Sequence, residues 1–246
     1  TSSQNAVLTG KSWSSTNIAA LTTAQIQGLT TAQAAALSAA QVKGLSTAQV
    51  VALETADLVV MPVATLAGLS TANFAALTST QIASLTALQA AGLGTAQVAA
   101  LTTAQIGSLS TAGVAQLSKL QLNTLASTIW TQLSTSQVAA MTADQVAGLS
   151  IAKISTLTST QLPALTTKQA AALTTAQAVA LTTTQWQSIS TQSMTAINAT
   201  ALNALSTATL AAISSTQTAA LLPAQVLALT TKAVAALTTA QIGGLT

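Results

Sequence analysis

From Leu21 onward a large apolar residue returns at every eighth position without a slip, through Leu29, Leu37, Leu45, Leu53 and Met61 to Leu245. The interval 245 − 21 = 224 is a whole number of octads. Trp13 stands at the preceding Leu position, so the array reaches back at least that far. The unit reads Leu-Thr-Thr-Ala-Gln-Ile-x-small, as at Leu101-Thr102-Thr103-Ala104-Gln105-Ile106. The second position is usually Ser or Thr, the fifth usually Gln, the sixth Ile, Val, Ala or Leu, and the eighth usually Ala or Gly. Nothing is inserted between copies.

Ser or Thr followed three residues later by Gln is the pattern of a helix-capping box. The hydroxyl accepts from the backbone N–H three residues on, and the Gln side chain reaches back to the cap residue's own N–H. A short run of good helix formers then follows. A helix start therefore recurs in every octad. Pro223 falls at the first helical residue of its copy, where proline is tolerated.

One continuous helix is excluded, because eight is far from a multiple of 3.6 and the apolar stripe would wind around it. The pattern predicts an all-α solenoid of two-turn helices, one per octad, with a bend at each Ser/Thr. Isolated helices this short are marginal in water, so they must bury their Leu, Ile/Val and Ala faces on one another. Gly44, Gly68 and Gly92 recur three octads apart, which suits three octads per coil. The alternative fold is a β-solenoid, since Thr, Ile and Val favour strands. Period-two alternation, however, puts Gln with Leu and Ile on the opposite face.

Residues 13–246 read as one continuous array, and 1–12 as an off-consensus segment suited to capping or docking. The final Gly244-Leu245-Thr246 stops as another octad would begin. The expectation is that the array continues in a longer protein or that each end docks on another copy. Phe74, Trp130, Trp186 and Met194 occupy the Ile slot and Met61 and Met141 the Leu slot, which predicts core packing. A large ring in a slot made for Ile offers the other possibility of protruding to dock a neighbour.

Composition sharpens this picture. Charged residues make up 4% of the chain, six Lys/Arg against three Asp/Glu, and neither His, Tyr nor Cys occurs. An ordinary soluble domain carries roughly 25% charged residues. Disulfides and thiolate metal sites are excluded. The lysines Lys11, Lys43, Lys119, Lys153, Lys168 and Lys232 never cluster, so no nucleic-acid partner is expected. Polar residues interrupt every apolar run, so no transmembrane segment is expected. The chain begins at Thr1 and lacks the pattern of a signal peptide, and reads as a processed chain or fragment.

Little here can do chemistry. Glu54 and Asp57 stand at a cap and its third helical residue, where an acid suits the free N–H groups of a helix start, and Asp144 has no acid near it. Thr9-Gly10-Lys11-Ser12 mimics the end of a phosphate-binding loop, but Asn5 stands where the first glycine belongs. Ser150-Ile151-Ala152-Lys153 spells Ser-x-x-Lys through a Gln-to-Lys change in an ordinary octad. Asn198-Ala199-Thr200 is a formal glycosylation acceptor. No catalytic, cofactor-binding or metal-binding residue is assigned, and no cofactor is expected.

The octad Leu-Ser/Thr-x-x-Gln-Val/Ile-x-x resembles the repeat stretches of very large bacterial secreted and cell-surface proteins, often labelled adhesin-like. That resemblance implies an extracellular or cell-surface location and supplies no functional residues. Leu45-Ser46-Thr47-Ala48-Gln49-Val50-Val51-Ala52-Leu53 also looks like the first helix of transcription-activator-like effector repeats. The period of eight, the missing base-reading pair and the missing basic residues exclude DNA binding. The reading is a non-enzymatic structural protein whose partners are copies of itself, in a filament, fibre or stalk with Ser, Thr and Gln on its exterior. The alternatives are a Thr array that binds polysaccharide or ice, and a passive spacer of a giant adhesin.

Overall fold

A computed structural model describes residues 18–245. The expected N-terminal segment 1–12, Trp13 and the phosphate-loop mimic lie outside the described residues. The described residues are all-α, with one short helix per octad and no strand among them, and they form an α-solenoid. The chain divides into two compact units, Thr1–Gln132 and Leu133–Thr246.

Each helix begins as the octad dictates. In the helix Ser79–Ser84, the Thr78 hydroxyl accepts from Gln81 N–H at 3.2 Å, and the Gln81 Oε1 accepts from Thr78 N–H at 2.8 Å. The cap itself is extended, at φ −70° and ψ 159°. The following Leu85 is extended too, at φ −60° and ψ 132°. Leu85 and the next cap, Thr86 at φ −69° and ψ 160°, are thus two extended residues in a row, which end one helix and re-aim the chain into the next. No described residue has positive φ, so these bends need no glycine.

Proline acts where its geometry conflicts with the octad. Pro223 opens the helix Pro223–Leu227 as expected. Pro163 instead falls at the seventh position, where its missing N–H and its ring break an α-turn. There the octad forms a 3-10 turn, Leu162–Ala164, and no α-helix.

Within each unit a helix stacks on the third helix along, as the glycine spacing suggests. Ser79–Ser84 packs on Thr55–Val60 in the N-terminal unit, an offset of 79 − 55 = 24 residues. Ala199–Ala204 packs on Thr175–Ala180 in the C-terminal unit, again 199 − 175 = 24. The core is a column of first- and sixth-position side chains. Val50, Ile82 and Ile106 are fully buried, as are Trp186, Phe74 and Trp130. The aromatic rings therefore pack inward and do not protrude.

Glycine at the eighth position serves close approach between coils. A Cβ on Gly68 would lie 2.7 Å from the Ala39 Cα of the coil below. Gly68→Ala is expected to destabilise the N-terminal unit by about 1–3 kcal/mol, because the intruded atom is backbone and cannot rotate away. Gly243→Ala meets nothing within 4 Å and should be neutral or slightly stabilising. Urea unfolding of the two variants checks the contrast.

Candidate functional site

The chemistry of this chain is concentrated in the fifth position. Gln was expected to join Ser and Thr on a hydrated exterior, and the structure overturns this. Gln81, Gln97 and Gln169 are 3%, 3% and 1% exposed. Burying an amide is costly unless each of its polar atoms is bonded. The fold achieves this with one side chain spanning two coils.

In the N-terminal unit, the Oε1 of Gln81 accepts from its own cap, as described above. Its Nε2 donates to the carbonyls of Val50 at 3.0 Å and Leu53 at 2.7 Å, in the coil beneath. Gln89 repeats this with Leu58 at 2.7 Å and Met61 at 2.9 Å. Gln97 does so with Leu66 at 3.0 Å and Leu69 at 2.9 Å. In the C-terminal unit, Gln169 donates to Val138 at 2.8 Å and Met141 at 2.6 Å, and Gln177 to Val146 at 2.9 Å and Leu149 at 2.8 Å.

The reach is constant, to the carbonyls 31 and 28 residues back. The carbonyl 28 residues back lies between two helices and takes no backbone donor, whereas the one 31 back ends a helix and also accepts from the backbone N–H three residues on, as Val50 does from Leu53 at 3.2 Å. One amide thus closes a cap above and satisfies a helix end below, forming a ladder through each unit.

Shorter side chains keep half of the rung. Thr65 Oγ1 donates to Leu37 at 2.6 Å, Asn73 Nδ2 to Leu45 at 2.7 Å and Ser193 Oγ to Leu165 at 2.7 Å. Each reaches the carbonyl 28 residues back. Capping-box reasoning finds the Gln-to-cap bond, but the downward donation has no local sequence signal, because its acceptors lie three to four octads away.

Two octads carry a charge at this position. Asp57 is 1% exposed, and its Oδ2 has no hydrogen-bond partner. Burial first, and then the neighbouring Glu54, raise its pKa from 3.8 to about 6, opposed by a bond from the Glu54 backbone N–H. Glu54 is the N-cap of Thr55–Val60 and makes no side-chain cap bond. The two acids stand at the cap and in the first turn of Thr55–Val60 as the sequence predicts, but the Asp57 side chain is buried in the coil stack and does not face solvent. Lys153 is 6% exposed, and burial lowers its pKa.

The remaining candidates stand at helix starts. The Ser150 hydroxyl accepts from Lys153 N–H as a cap, so Ser-x-x-Lys is an octad start. Asn198 caps Ala199–Ala204, its Oδ1 accepting from Thr200 N–H at 2.8 Å. Asp144 lies in the first turn of Ala143–Ala147. Among the described residues no three His, Cys, Asp or Glu side chains group as a metal site. No described helix is long and apolar enough to cross a membrane.

The model of the ALTTAQ repeat family matches residues 50–87 and 91–119. The hexapeptide of that name stands at Ala100-Leu101-Thr102-Thr103-Ala104-Gln105. It recurs in the C-terminal unit at Ala172-Leu173-Thr174-Thr175-Ala176-Gln177 and again at Ala236-Leu237-Thr238-Thr239-Ala240-Gln241. This is a repeat-containing protein, similar to that family over the matched segments. None of the curated proteins matches the chain.

Proposed function

We propose that the chain is a non-enzymatic structural array that associates with copies of itself in an extracellular filament, fibre or stalk, on or outside a bacterial cell. The observation that carries this reading is the surface. It combines few charges with isolated large apolar side chains: Leu88 is 74% exposed and Leu120 66% in the N-terminal unit, and Leu227 87% in the C-terminal unit. With 4% charged residues, electrostatic repulsion between copies is weak. The polar groups of the ladder are spent internally, which leaves Ser, Thr and Ala to line the outside.

Electron microscopy of native material, without crosslinker or denaturant, tests this together with sedimentation velocity. Continuous fibres or bundles with a regular axial repeat are expected. Material that sediments as a strict monomer up to millimolar concentration removes the self-association.

A second reading has its own observation. Thr23, Thr47, Thr71 and Thr95 are all exposed and recur every 24 residues, one helix-stack apart in the N-terminal unit. A ladder of Thr hydroxyls and methyls at fixed spacing suits polysaccharide or ordered water. Ice-affinity partition and glycan pull-down discriminate it, since the structural reading predicts no enrichment in either.

A further inference from the structure

Asp57 occupies a rung that every neighbouring octad fills with a hydrogen-bond donor. Two octads later, Asn73, which is Asp57 with an amide in place of the carboxyl, donates through Nδ2 to the carbonyl 28 residues back, Leu45, at 2.7 Å. One octad later, Thr65 does the same to Leu37 at 2.6 Å. The same register, counted back from Asp57, leads to the Leu29 carbonyl, 57 − 28 = 29. The helix that bears it, Thr55–Val60, packs on Thr31–Ala35 and Ser79–Ser84. An ionised carboxylate there sets an acceptor against an acceptor, out of water. Its Oδ2 is the buried oxygen without a partner.

The electrostatic surroundings are simple. The stacked helices Thr31–Ala35 and Ser79–Ser84 contain no titratable residue, and neither do the helices flanking it in the chain, Thr47–Ala52 and Val63–Ala67. Glu54, at the cap of its own helix, is the one charged group acting on it, and it is also an acid. Nothing in these elements offers a cation to an ionised Asp57.

We propose that Asp57 completes the ladder as a carboxylic acid, its Oδ2–H donating to the Leu29 carbonyl, so that the N-terminal unit is fastened in acid and loosens when this carboxyl ionises. The proton comes from solvent and returns to it. A group whose pKa is raised on folding contributes stability that is fully present below its unfolded pKa, and loses it as pH rises through the folded pKa. The window here runs from about 4 to just above 6. A shift from 3.8 to about 6 corresponds to a roughly 100-fold fall in the folding equilibrium constant across that window.

The test uses the full chain at a concentration where it is monomeric. The carboxyl carbon of Asp57 is followed by NMR from pH 3 to 8, and urea unfolding of the N-terminal unit is followed in parallel. The expected results are a carboxyl midpoint near 6 and a unit that is more stable at pH 4 than at pH 7.5. Asp57→Asn should be flat over this range and as stable at pH 7.5 as the parent is at pH 4, because its amide donates at every pH. Glu54→Gln should keep the pH dependence but lower its midpoint, which separates burial from the like charge. A midpoint near 4, or a pH dependence that survives in Asp57→Asn, overturns the proposal. Stabilisation of the parent at pH 7.5 by added K⁺, Mg²⁺ or Ca²⁺ that is absent in Asp57→Asn overturns it in favour of a bound cation.

Discussion

Gln81→Leu is expected to destabilise the N-terminal unit by roughly 2–4 kcal/mol, although Leu is apolar, of similar size and a better fit to a hydrophobic interior by composition alone. The loss comes from what Gln81 leaves behind. The carbonyls of Val50 and Leu53 lose their donor in the coil beneath, and Thr78 N–H loses its acceptor. A buried polar group left unsatisfied costs about 1–3 kcal/mol; the Leu53 carbonyl bears that loss in full, and the Val50 carbonyl in part, since it keeps the Leu53 N–H. Thr78→Ala removes the hydroxyl half of the same box and should cost only about 1 kcal/mol. Gln81→Asn should fall between the two, because Asn73 demonstrates that the shorter amide still reaches the carbonyl 28 residues back. Denaturant unfolding of the three variants gives the order directly. If Gln81→Leu costs no more than Thr78→Ala, the ladder is not what holds the coils together.

The second large effect is expected in the C-terminal unit. Trp186→Ala should cost about 3–5 kcal/mol, the range for emptying a buried aromatic site that can only partly collapse. Trp186 is fully buried in a position that most octads give to Ile, Val or Leu. The preceding octad supplies Ala178 at the same position, also fully buried. The indole Nε1 donates to the Ala178 carbonyl at 3.1 Å, so the ring lies against a neighbour kept small. Trp186→Phe should lose this bond and part of the volume, at a cost of about 1–2 kcal/mol. Ala178→Ile alone should overpack, whereas Ala178→Ile with Trp186→Ile returns both octads to the common pattern and should recover most of the loss. A double-mutant cycle by thermal unfolding measures that coupling, and strict additivity would separate the two sites.

Much of this architecture is local and therefore legible in the chain. The capping box is written within four residues, and Thr78 and Gln81 realise it as the spacing demands. The period of eight excludes a long helix by geometry alone. The inward packing of Phe74, Trp130 and Trp186 follows from their register in the array. Even the stacking of every third helix is hinted at by Gly44, Gly68 and Gly92, of which Gly68 meets the Ala39 backbone of the coil below.

The sequence by itself determined where each helix starts, which residues face inward and that the fold repeats octad by octad, because those features depend on interactions a few residues long. Only the tertiary structure decided the fate of the glutamine. Its amide has two ends: the oxygen meets a partner three residues away, and the nitrogen meets partners 28 and 31 residues away. A one-dimensional reading sees the first bond and leaves the second end to water, so Gln reads as exterior. Winding the chain brings helix-end carbonyls beneath that nitrogen, and burial turns an optional contact into a required one. The same winding makes Asp57, an ordinary first-turn acid in the linear pattern, the one buried carboxyl among rungs built to donate.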